Sequence, residues 1–276
     1  MPPILLPDRY RVEPGAAVRL ADWKTDDSAG IDRPAAEQRL AGNIDALQKL
    51  QHTLYAEHQR SVLVVLQAMD AGGKDSTIRH VLGPLNPQGV QVKNFKRPTP
   101  DELAHDFLWR MHQHTPRQGH IQVFNRSHYE DVLVARVDQL VPDSVWSERY
   151  QIINEFERAL TQAGTVIVKF YLHLSHRVQG EKLIERLELP HKRWKFEPAD
   201  LESRRKWDDY MRAYEDALTR CSTPHAPWHI IPADDKWLRL LTVSEILRAT
   251  IEHMNPQFPD PKVDPAEALR LLQQLA

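Results

Sequence analysis

The sequence predicts an α/β fold in which a parallel five-stranded sheet is flanked by helices. Five short apolar runs that are typical of buried strands occur at 61–66, 90–95, 120–124, 165–171 and 228–231. Segments of helical periodicity separate these runs, and such alternation indicates a parallel sheet that is covered on both faces. A glycine-containing turn follows the first run directly and leads into a helix, which is the layout of a phosphate-binding loop.

The chain begins with a segment that has no clear periodicity. Residues 1–33 are rich in Pro and Asp, and we expect them to form an extended arm on the surface. Residues 34–58 carry apolar side chains at helical spacing and predict a helix that packs on the core. The arm and this helix together make up a first segment, 1–60.

Two further helix starts carry the pattern of a capping box. Thr99 and Glu102 open a helix that we expect to run to about Gln113, and Ser127 and Glu130 open the next one. In both boxes the glutamate either closes the cap or serves as a ligand, and the pattern alone favours neither role.

A long insertion at about 175–222 separates the fourth and fifth apolar runs. It contains the basic clusters 191–195 and 204–206, which are interleaved with aromatic residues. A charge run is usually a solvated helix face, but at this point of a kinase-like sheet it predicts a helical lid that closes over phosphates and excludes water.

The predicted organisation is one domain. The core with its lid spans 61–254, and the tail 255–276 combines a proline-rich linker with a short amphipathic helix from Pro265 to Leu275.

The turn after the first run has the small residues that a phosphate site needs. Ala71, Gly72 and Gly73 let backbone N–H groups approach phosphate oxygens, and Lys74 adds a full positive charge at the start of a helix. An ordinary glycine-rich turn between a strand and a helix is the alternative interpretation.

This loop departs from the pattern G-x-x-x-x-G-K-[ST]. Ala68 replaces the first glycine, and Asp75 stands where a Mg²⁺-binding hydroxyl is usual, with Ser76 one place later. Asp70 lies inside the loop, where its carboxylate would repel phosphates. We therefore expect that a metal lies between Asp70 and the phosphates, or that Asp70 orients an attacking phosphate.

Composition restricts the function further. The chain has 276 residues, of which 41% are hydrophobic and 27% are charged, and a formal net charge of −2 argues against a general nucleic-acid binder. Cys221 is the one cysteine, so no internal disulfide framework forms and a cytoplasmic location is expected. The N-terminus has no signal-peptide pattern, and no apolar run approaches the roughly 18 residues of a membrane span.

Seven sequence blocks, in order along the chain, resemble the polyphosphate kinase 2 family of polyphosphate:nucleotide phosphotransferases. They are MDAGGKDSTIR (69–79), KRPTPDELAHDFLWR (96–110), FNRSHYEDVL (124–133), KFYLHLS (169–175), KRWKF (192–196), WDDY (207–210) and APWHIIPADDKW (226–237). The resemblance covers about residues 10 to 255. It implies a fold like that of thymidylate kinase, dependence on Mg²⁺ or on Mn²⁺ in its place, a helical lid and a homo-oligomer, either a dimer or a tetramer.

The resemblance also implies roles for individual residues. Asp70, Lys74 and Arg126 match the catalytic positions, with Asp70 also as the metal ligand. The matching phosphate- and polyphosphate-binding positions are Ala71, Gly72, Gly73, Lys74, Asp75, Ser76, Lys192, Arg193, Lys195, Arg204 and Lys236. The candidate nucleotide-binding positions are Lys96, Arg97, Glu102, Phe107, Arg110, Asn125, Arg126, His128, Tyr129 and Glu130.

Asn125 sets this chain apart from many members of the family, which carry Asp at the same position. A subset of the family has Asn here, and this subset resembles the members that phosphorylate both AMP and ADP. Because an amide is a weaker cation ligand than a carboxylate, metal binding would depend more on Asp70 and on the substrate phosphates.

The function that the sequence predicts is reversible, Mg²⁺-dependent transfer of the terminal phosphate of inorganic polyphosphate to AMP or ADP, with ATP as a product. An ATP-dependent nucleoside monophosphate kinase is the first alternative, although the basic lid and the aspartate in the loop speak against it. A non-catalytic nucleotide-binding protein is the second, although the joint presence of Asp70, Lys74 and Arg126 speaks against it. We expect neither a nucleic-acid partner nor a membrane partner.

Overall fold

The computed structural model describes residues 6–275 and has a five-stranded parallel sheet at its centre, in the order β2-β3-β1-β4-β5. The predicted α/β fold is confirmed, and each predicted strand lies within two residues of an observed one. The strands are β1 (Ser61–Gln67), β2 (Val90–Asn94), β3 (Ile121–Asn125), β4 (Thr165–His173) and β5 (Trp228–Pro232).

Helices cover both faces of this sheet. In chain order they are α1 (Leu6–Arg9), α2 (Arg33–Glu57), α3 (Lys74–Thr77), α4 (Pro100–Leu103), α5 (Trp109–His112), α6 (Glu130–Val137), α7 (Asp143–Gln162), α8 (His176–Glu188), α9 (Pro198–Arg205), α10 (Trp207–Cys221), α11 (Lys236–Met254) and α12 (Pro265–Leu275). A π-helical turn continues α3, and 3₁₀ turns occur at Leu20–Asp22 and Pro190–Lys195. Within residues 6–275 no helix combines the length and the apolar character that a bilayer span requires.

Strand β1 lies in the middle of the sheet and positions the site. All of its residues are buried, since it pairs with β3 on one side and with β4 on the other. Leu66 is in register with both Asn125 and Phe170. Because all strands are parallel, the loops that follow β1, β3, β4 and β5 emerge at one edge, where α/β sheets bind their ligands.

The N-terminal arm is more deeply embedded than the sequence predicts. Its first five residues lie outside the described part, but Tyr10 and Val12 are buried, and the arm is hydrogen-bonded to β5. Val12 N donates to Trp228 O at 2.8 Å, and Ile230 N donates to Tyr10 O at 2.8 Å. The expectation of a surface arm is therefore wrong for these residues, because β5 would otherwise leave the backbone groups of an edge strand unpaired.

The helix predicted from Thr99 to about Gln113 is wrong in its length, because it is two short helices, α4 and α5. The capping box at Thr99 is present, but the helix stops after Leu103. Asp106 Oδ1 then accepts a hydrogen bond from Leu108 N at 2.9 Å, and this local bond replaces a continuing helical ladder.

The second predicted capping box does not form. Ser127 Oγ accepts a hydrogen bond from Tyr129 N at 3.2 Å, and α6 begins only at Glu130, with no side-chain cap. Arg126 has a positive φ of 61°, which turns the chain before the helix starts. Glu130 is then free to bond to other side chains.

The insertion between β4 and β5 consists of two parts. Helix α10 buries Tyr210, Tyr214 and Leu218 and packs on α6 and α7, so it belongs to the core. Helices α8 and α9 form the other part and are joined by the 3₁₀ turn Pro190–Lys195, in which Trp194 is exposed. We call residues 176–205 the lid segment. Its movement, and the lid bounds of about 175–222, stay predictions.

A buried ion pair lies behind the loop that follows β3. Lys169 Nζ on β4 is 2.6 Å from Glu157 Oε2 on α7, and both side chains are fully buried. Lys169 Nζ also donates to Tyr129 Oη at 2.8 Å and to Cys221 O at 2.7 Å. Burial by itself would raise the pKa of Glu157, but Lys169 and His128 together outweigh it and the pKa is lowered.

This ion pair accounts for two residues that were predicted to bind nucleotide. Tyr129 Oη donates to Glu157 Oε1 at 2.9 Å, and His128 Nε2 lies 3.2 Å from the same oxygen. Both side chains have no exposed surface. The structure therefore places His128 and Tyr129 in the core and not at the ligand edge, because their polar atoms complete the coordination of a buried charge.

We expect Lys169→Met to lower the free energy of unfolding by about 3–5 kcal/mol, because it leaves the Glu157 carboxylate buried without its partner. Denaturant titration of the purified variant measures the loss. The matched control is Lys169→Met combined with Glu157→Leu, which removes both charges and should recover most of the stability. A single variant as stable as the wild type, or a double variant no better than the single one, would contradict the prediction.

Candidate active site

The loop between β1 and α3 has the backbone of a phosphate cradle. Ala71 and Gly73 have positive φ angles of 62° and 95°, which turn the backbone back on itself. A Cβ atom at Gly72 would lie 2.5 Å from Ala68 Cβ and 2.8 Å from Met69 O. Only glycine fits at position 72, since any side chain would push against the loop itself.

Lys74 is folded into this loop. Its Nζ donates to Ala68 O at 2.9 Å and to Met69 O at 3.4 Å, and the side chain is only 9% exposed. Burial and the charge of Arg126 lower the pKa of Lys74 to about 8. Two carbonyl oxygens therefore occupy the hydrogen-bonding positions that phosphate oxygens would take.

The two sequence motifs that follow β1 and β3 meet through an ion pair. Arg126 Nη2 donates to Asp70 Oδ1 at 2.6 Å, and Arg126 Nη1 donates to Glu130 Oε2 at 3.2 Å. Glu130 Oε1 in turn accepts from Gln67 Nε2 at 3.0 Å. This chain of bonds holds Asp70 and Arg126 next to each other at the ligand edge of the sheet.

Both members of this pair are charged near neutral pH. Burial would raise the pKa of Asp70, but the charges of Arg126 and Lys74 outweigh it and the net shift is downward. The pKa of Arg126 is raised, mainly by Glu130 and against the effect of burial. Asp70 is therefore a carboxylate that can accept hydrogen bonds or bind a cation, and it is not a proton donor.

Asn125 contacts the loop through a residue that the sequence assigned only to phosphate binding. Its Nδ2 donates to Asp75 Oδ1 at 2.8 Å, while the side chain of Asp75 is otherwise exposed. An amide thus ends β3 and a carboxylate stands in the first turn of α3. The carboxylate at the loop is therefore on α3, where a phosphate-loop enzyme usually has a Mg²⁺-binding hydroxyl.

Half of the predicted nucleotide-binding residues lie on one segment that follows β2, residues 96–110. Arg110 is buried, donates from Nη1 to Lys96 O at 2.8 Å and lies 3.6 Å from Glu102 Oε2. Glu102 also closes the cap of α4, where its Oε2 accepts from Thr99 N at 2.8 Å. Lys96 and Arg97 are exposed, so their charged ends are accessible to an anion.

Phe107 adds an aromatic surface to this segment. It lies beside Arg149 and Asp131, two residues that sequence analysis missed. The guanidinium of Arg149 lies 4.7 Å from the ring centre of Phe107, and Arg149 Nη1 donates to Asp131 Oδ1 at 3.2 Å. Burial raises the pKa of Asp131 to about 6 in spite of Arg149. Arg149 lies on α7, far along the chain from Phe107, and carries no local motif.

The four basic residues of the lid segment that were predicted to bind polyphosphate have partners within that segment. Lys192 Nζ is 2.6 Å from Glu185 Oε1, Arg193 Nε donates to Leu187 O at 2.8 Å, and Lys195 lies over the ring of Trp194. Arg204 Nη1 donates to His176 O at 2.7 Å and so joins α9 to α8. The structure thus shows none of these four side chains in contact with the phosphate loop.

Other residues of the lid segment do reach the loop. Gln179 Nε2 donates to Asp70 O at 3.3 Å, and the hydroxyl of Ser203 lies close enough to Asp70 to lower its pKa further. Lys236, at the start of α11, lies beside His80 with 3.2 Å between Nζ and Nε2. Ser76 receives a hydrogen bond at 2.7 Å from Arg239, a buried residue that sequence analysis missed.

The residues present fit Mg²⁺ that is held largely by substrate. Among the described residues, no three side chains of the types His, Cys, Asp and Glu converge in a way that could hold a metal ion. Asp70 and Asp75 nevertheless supply carboxylate oxygens at the loop. Mg²⁺ in phosphoryl-transfer sites is usually bound by one or two carboxylates, with phosphate oxygens and water as the other ligands.

Comparisons with known proteins agree with these features. Residues 30–259 match the family model described as polyphosphate kinase 2. An AMP/ADP-polyphosphate phosphotransferase of Meiothermus ruber is 52% identical over 92% of this chain and 96% of its own length. An ADP-polyphosphate phosphotransferase of Rhodopseudomonas palustris is 43% identical over 96% of each chain.

A solved structure shows the same architecture. The crystal structure of polyphosphate kinase 2 from Arthrobacter aurescens superimposes with a TM-score of 0.94 at 38% sequence identity, over 98% of this chain and 96% of that one. The match extends over the sheet, the helices and the lid segment together. On the family model, the full-length relatives and the shared fold, this chain belongs to the polyphosphate kinase 2 family.

Proposed function

We propose that the protein transfers the terminal phosphoryl group of inorganic polyphosphate to AMP and ADP, in a reversible reaction that yields ATP from ADP. The observation that carries this proposal is the 2.6 Å contact between Asp70 and Arg126, which joins the phosphate loop to the motif after β3. The names of the similar proteins, which include AMP, ADP or both as acceptors, support the same substrates.

The chemistry of phosphoryl transfer asks a protein mainly for positioning and for neutralisation of charge. Lys74 and the backbone N–H groups of the loop would bind the phosphates, and Arg126 would stabilise charge on the group in transfer. Asp70 would orient the acceptor phosphate or its metal. The segment with Phe107 and Arg110 would hold the nucleoside part of the acceptor.

A divalent cation completes this arrangement. Asp70 would hold Mg²⁺, with Asp75 as the second carboxylate at the loop. When bound, the ion neutralises phosphate charge and brings donor and acceptor together. The basic residues of the lid segment, Lys192, Arg193, Lys195 and Arg204, would meet the polyphosphate chain only if the lid segment changes its internal contacts.

An activity matrix tests the proposed function directly. Polyphosphate and ATP are supplied separately as donors, each with AMP, ADP, GMP or GDP as acceptor, and the products are separated by chromatography. Formation of ATP from polyphosphate and ADP without any other donor is the expected result. Activity with ATP and AMP alone would instead identify an ATP-dependent nucleoside monophosphate kinase, and no transfer in any combination would identify a nucleotide-binding protein.

The assembly is proposed on family resemblance alone. We propose a homo-oligomer, either a dimer or a tetramer, and light scattering of the purified protein measures its mass against the 32.0 kDa of one chain.

We expect Asp70→Asn to abolish transfer while the protein stays folded. A positioned carboxylate of this kind is typically worth about 10²–10⁴ in rate, and the amide keeps the size of the side chain and one acceptor for Arg126. Turnover is measured with polyphosphate and ADP, and circular dichroism checks the fold. Near-normal turnover of a folded Asn variant would show that the charge of Asp70 is not needed.

We expect Asn125→Asp to change the ratio of AMP to ADP activity. The new carboxylate would face Asp75 and bind magnesium at one place, which restricts the phosphate that can accept the group. Initial rates with AMP and ADP are compared in the wild type and the variant. The matched control is Asn125→Asp combined with Asp75→Asn, which restores the number of charges but keeps the carboxylate at position 125, so the ratio should stay changed. An unchanged ratio in the single variant, or a wild type that uses one acceptor only, would exclude Asn125 as the selector.

We expect phosphate binding to weaken as the pH rises through about 8, the pKa of Lys74 in the empty site. This pKa lies below the usual value, so the ammonium loses its proton there, and binding at higher pH has to restore it. Calorimetry with tripolyphosphate in buffers of different ionisation enthalpy measures the proton uptake. In Lys74→Arg the guanidinium stays charged, so uptake should vanish, although turnover should not recover. Equal proton uptake in this variant would assign it to another group.

A further inference from the structure

Arg239 lies directly behind the phosphate loop. It stands in the first turns of α11 and is only 2% exposed. Its Nη2 donates to Ser76 Oγ at 2.7 Å, its Nε donates to Thr77 Oγ1 at 3.1 Å, and its Nη1 donates to Ala233 O at 3.3 Å. The guanidinium therefore holds the first turn of α3, which contains Lys74.

The guanidinium also packs against the last glycine of the loop. A Cβ atom at Gly73 would lie 2.4 Å from Arg239 Cζ, 2.6 Å from Nη1 and 2.7 Å from Nη2. Only the backbone of Gly73 fits beside the guanidinium. Glycine at position 73 is therefore favoured for two reasons. It adopts a positive φ, and it leaves room for the guanidinium of Arg239 against the backbone of the loop.

The charge of Arg239 has no anionic partner in the part of the chain that the structure describes. Its three acceptors are two hydroxyls and a carbonyl, and no carboxylate of the described residues acts on its pKa. Burial alone lowers its pKa to about 10, so the group keeps its charge at neutral pH. A buried charge without a counter-ion is strongly disfavoured in proteins unless something compensates for it.

A second cation increases the excess of positive charge. Lys182 Nζ on α8 donates to Ala233 O at 3.3 Å, which is the same carbonyl that Arg239 uses. Burial and then Arg239 lower the pKa of Lys182 to about 8, although Asp234 and Asp235 act in the opposite direction. Two cations, Lys182 and Arg239, thus share one carbonyl oxygen behind the loop.

We propose that Arg239 is a positioning residue whose buried charge is balanced by the phosphate bound in the loop, and that it sets both the affinity for that phosphate and the orientation of α3. This inference rests on the proposed function in so far as the ligand is a phosphate chain. It assigns to Arg239 an electrostatic role that acts through Gly73, Ser76 and Thr77 and not through contact with the reacting atoms.

The alternative is a structural role, in which Arg239 only joins α11 to α3. The two roles differ in what happens when an apolar side chain of similar length takes its place. A structural arginine leaves unfilled hydrogen bonds, and its loss lowers the stability of the empty protein. An arginine whose counter-ion is the bound phosphate is unfavourable in the ligand-free protein, so its removal leaves that protein as stable or more stable. The same removal weakens ligand binding.

The experiment compares Arg239→Met, Arg239→Lys and the wild type, with Arg248→Met as the matched control. Arg248 lies on the same helix but bonds to Glu252 and Asn43, away from the loop. Calorimetry with inorganic tripolyphosphate, without magnesium, measures affinity, and thermal unfolding without ligand measures stability. Steady-state kinetics with polyphosphate then separates kcat from KM for Arg239→Lys.

We expect Arg239→Met to weaken tripolyphosphate binding by about 10- to 100-fold, the usual range for a lost interaction with a charged group, with no loss of midpoint temperature in the empty protein. Arg239→Lys should restore the affinity and the KM for polyphosphate but not kcat, because one ammonium cannot hold two hydroxyls in a fixed geometry. Arg248→Met should bind tripolyphosphate like the wild type.

Two results would overturn the inference alone. They are unchanged affinity in a folded Arg239→Met variant, and affinity in Arg239→Lys as weak as in Arg239→Met, since the charge would then not be the property that matters. A wild type that fails to bind tripolyphosphate would also overturn the inference, and a wild type with no turnover of polyphosphate in the kinetic assay would instead overturn the proposed function.

Discussion

Repulsion between like charges is the constraint on which the site depends. Lys74, Arg126 and Arg239 converge on one small loop, and each needs a partner while no phosphate is bound. Lys74 uses backbone carbonyls, Arg126 uses two carboxylates and Arg239 uses hydroxyls. The repulsion between these positive charges is thereby offset by three kinds of acceptor. The same logic explains why a protein with a net charge of −2 can still bind a polyanion.

The sheet was predictable because its signal is local. Strands that are buried on both faces appear as continuous apolar runs, and β1 with its fully buried Ser61–Gln67 is the clearest example. Elements were mispredicted where a side chain competes with the backbone, as at Asp106, or where the chain turns through an unusual angle, as at Arg126. The depth of the N-terminal arm could not be inferred either, because its partner strand lies at the other end of the sequence.

The site was predictable to the extent that it is built from contiguous motifs. The loop residues were identified from their spacing and Arg126 from the family resemblance, and the structure brings Asp70, Lys74 and Arg126 together. His128 and Tyr129 share a motif with Arg126 but face the core, because a buried lysine on β4 requires their polar atoms. A motif predicts which residues are present but not where their side chains point. One feature of the sequence could have indicated Arg239: it lies inside the apolar run WLRLL of α11. A charged residue is rarely buried in such a run unless it has a partner.

The pairing of the N-terminal arm with β5 constrains the order in which the molecule assembles. Tyr10 and Val12 precede all five strands of the sheet in the sequence, and Trp228 and Ile230 lie in its last strand. All of the sheet must therefore be synthesised before the outermost strand acquires its cover. Contacts between such distant parts of a chain form late and slow the folding of a domain. During that interval β5 would present an unprotected edge, which is the period in which nascent chains of this protein are most exposed to association with one another.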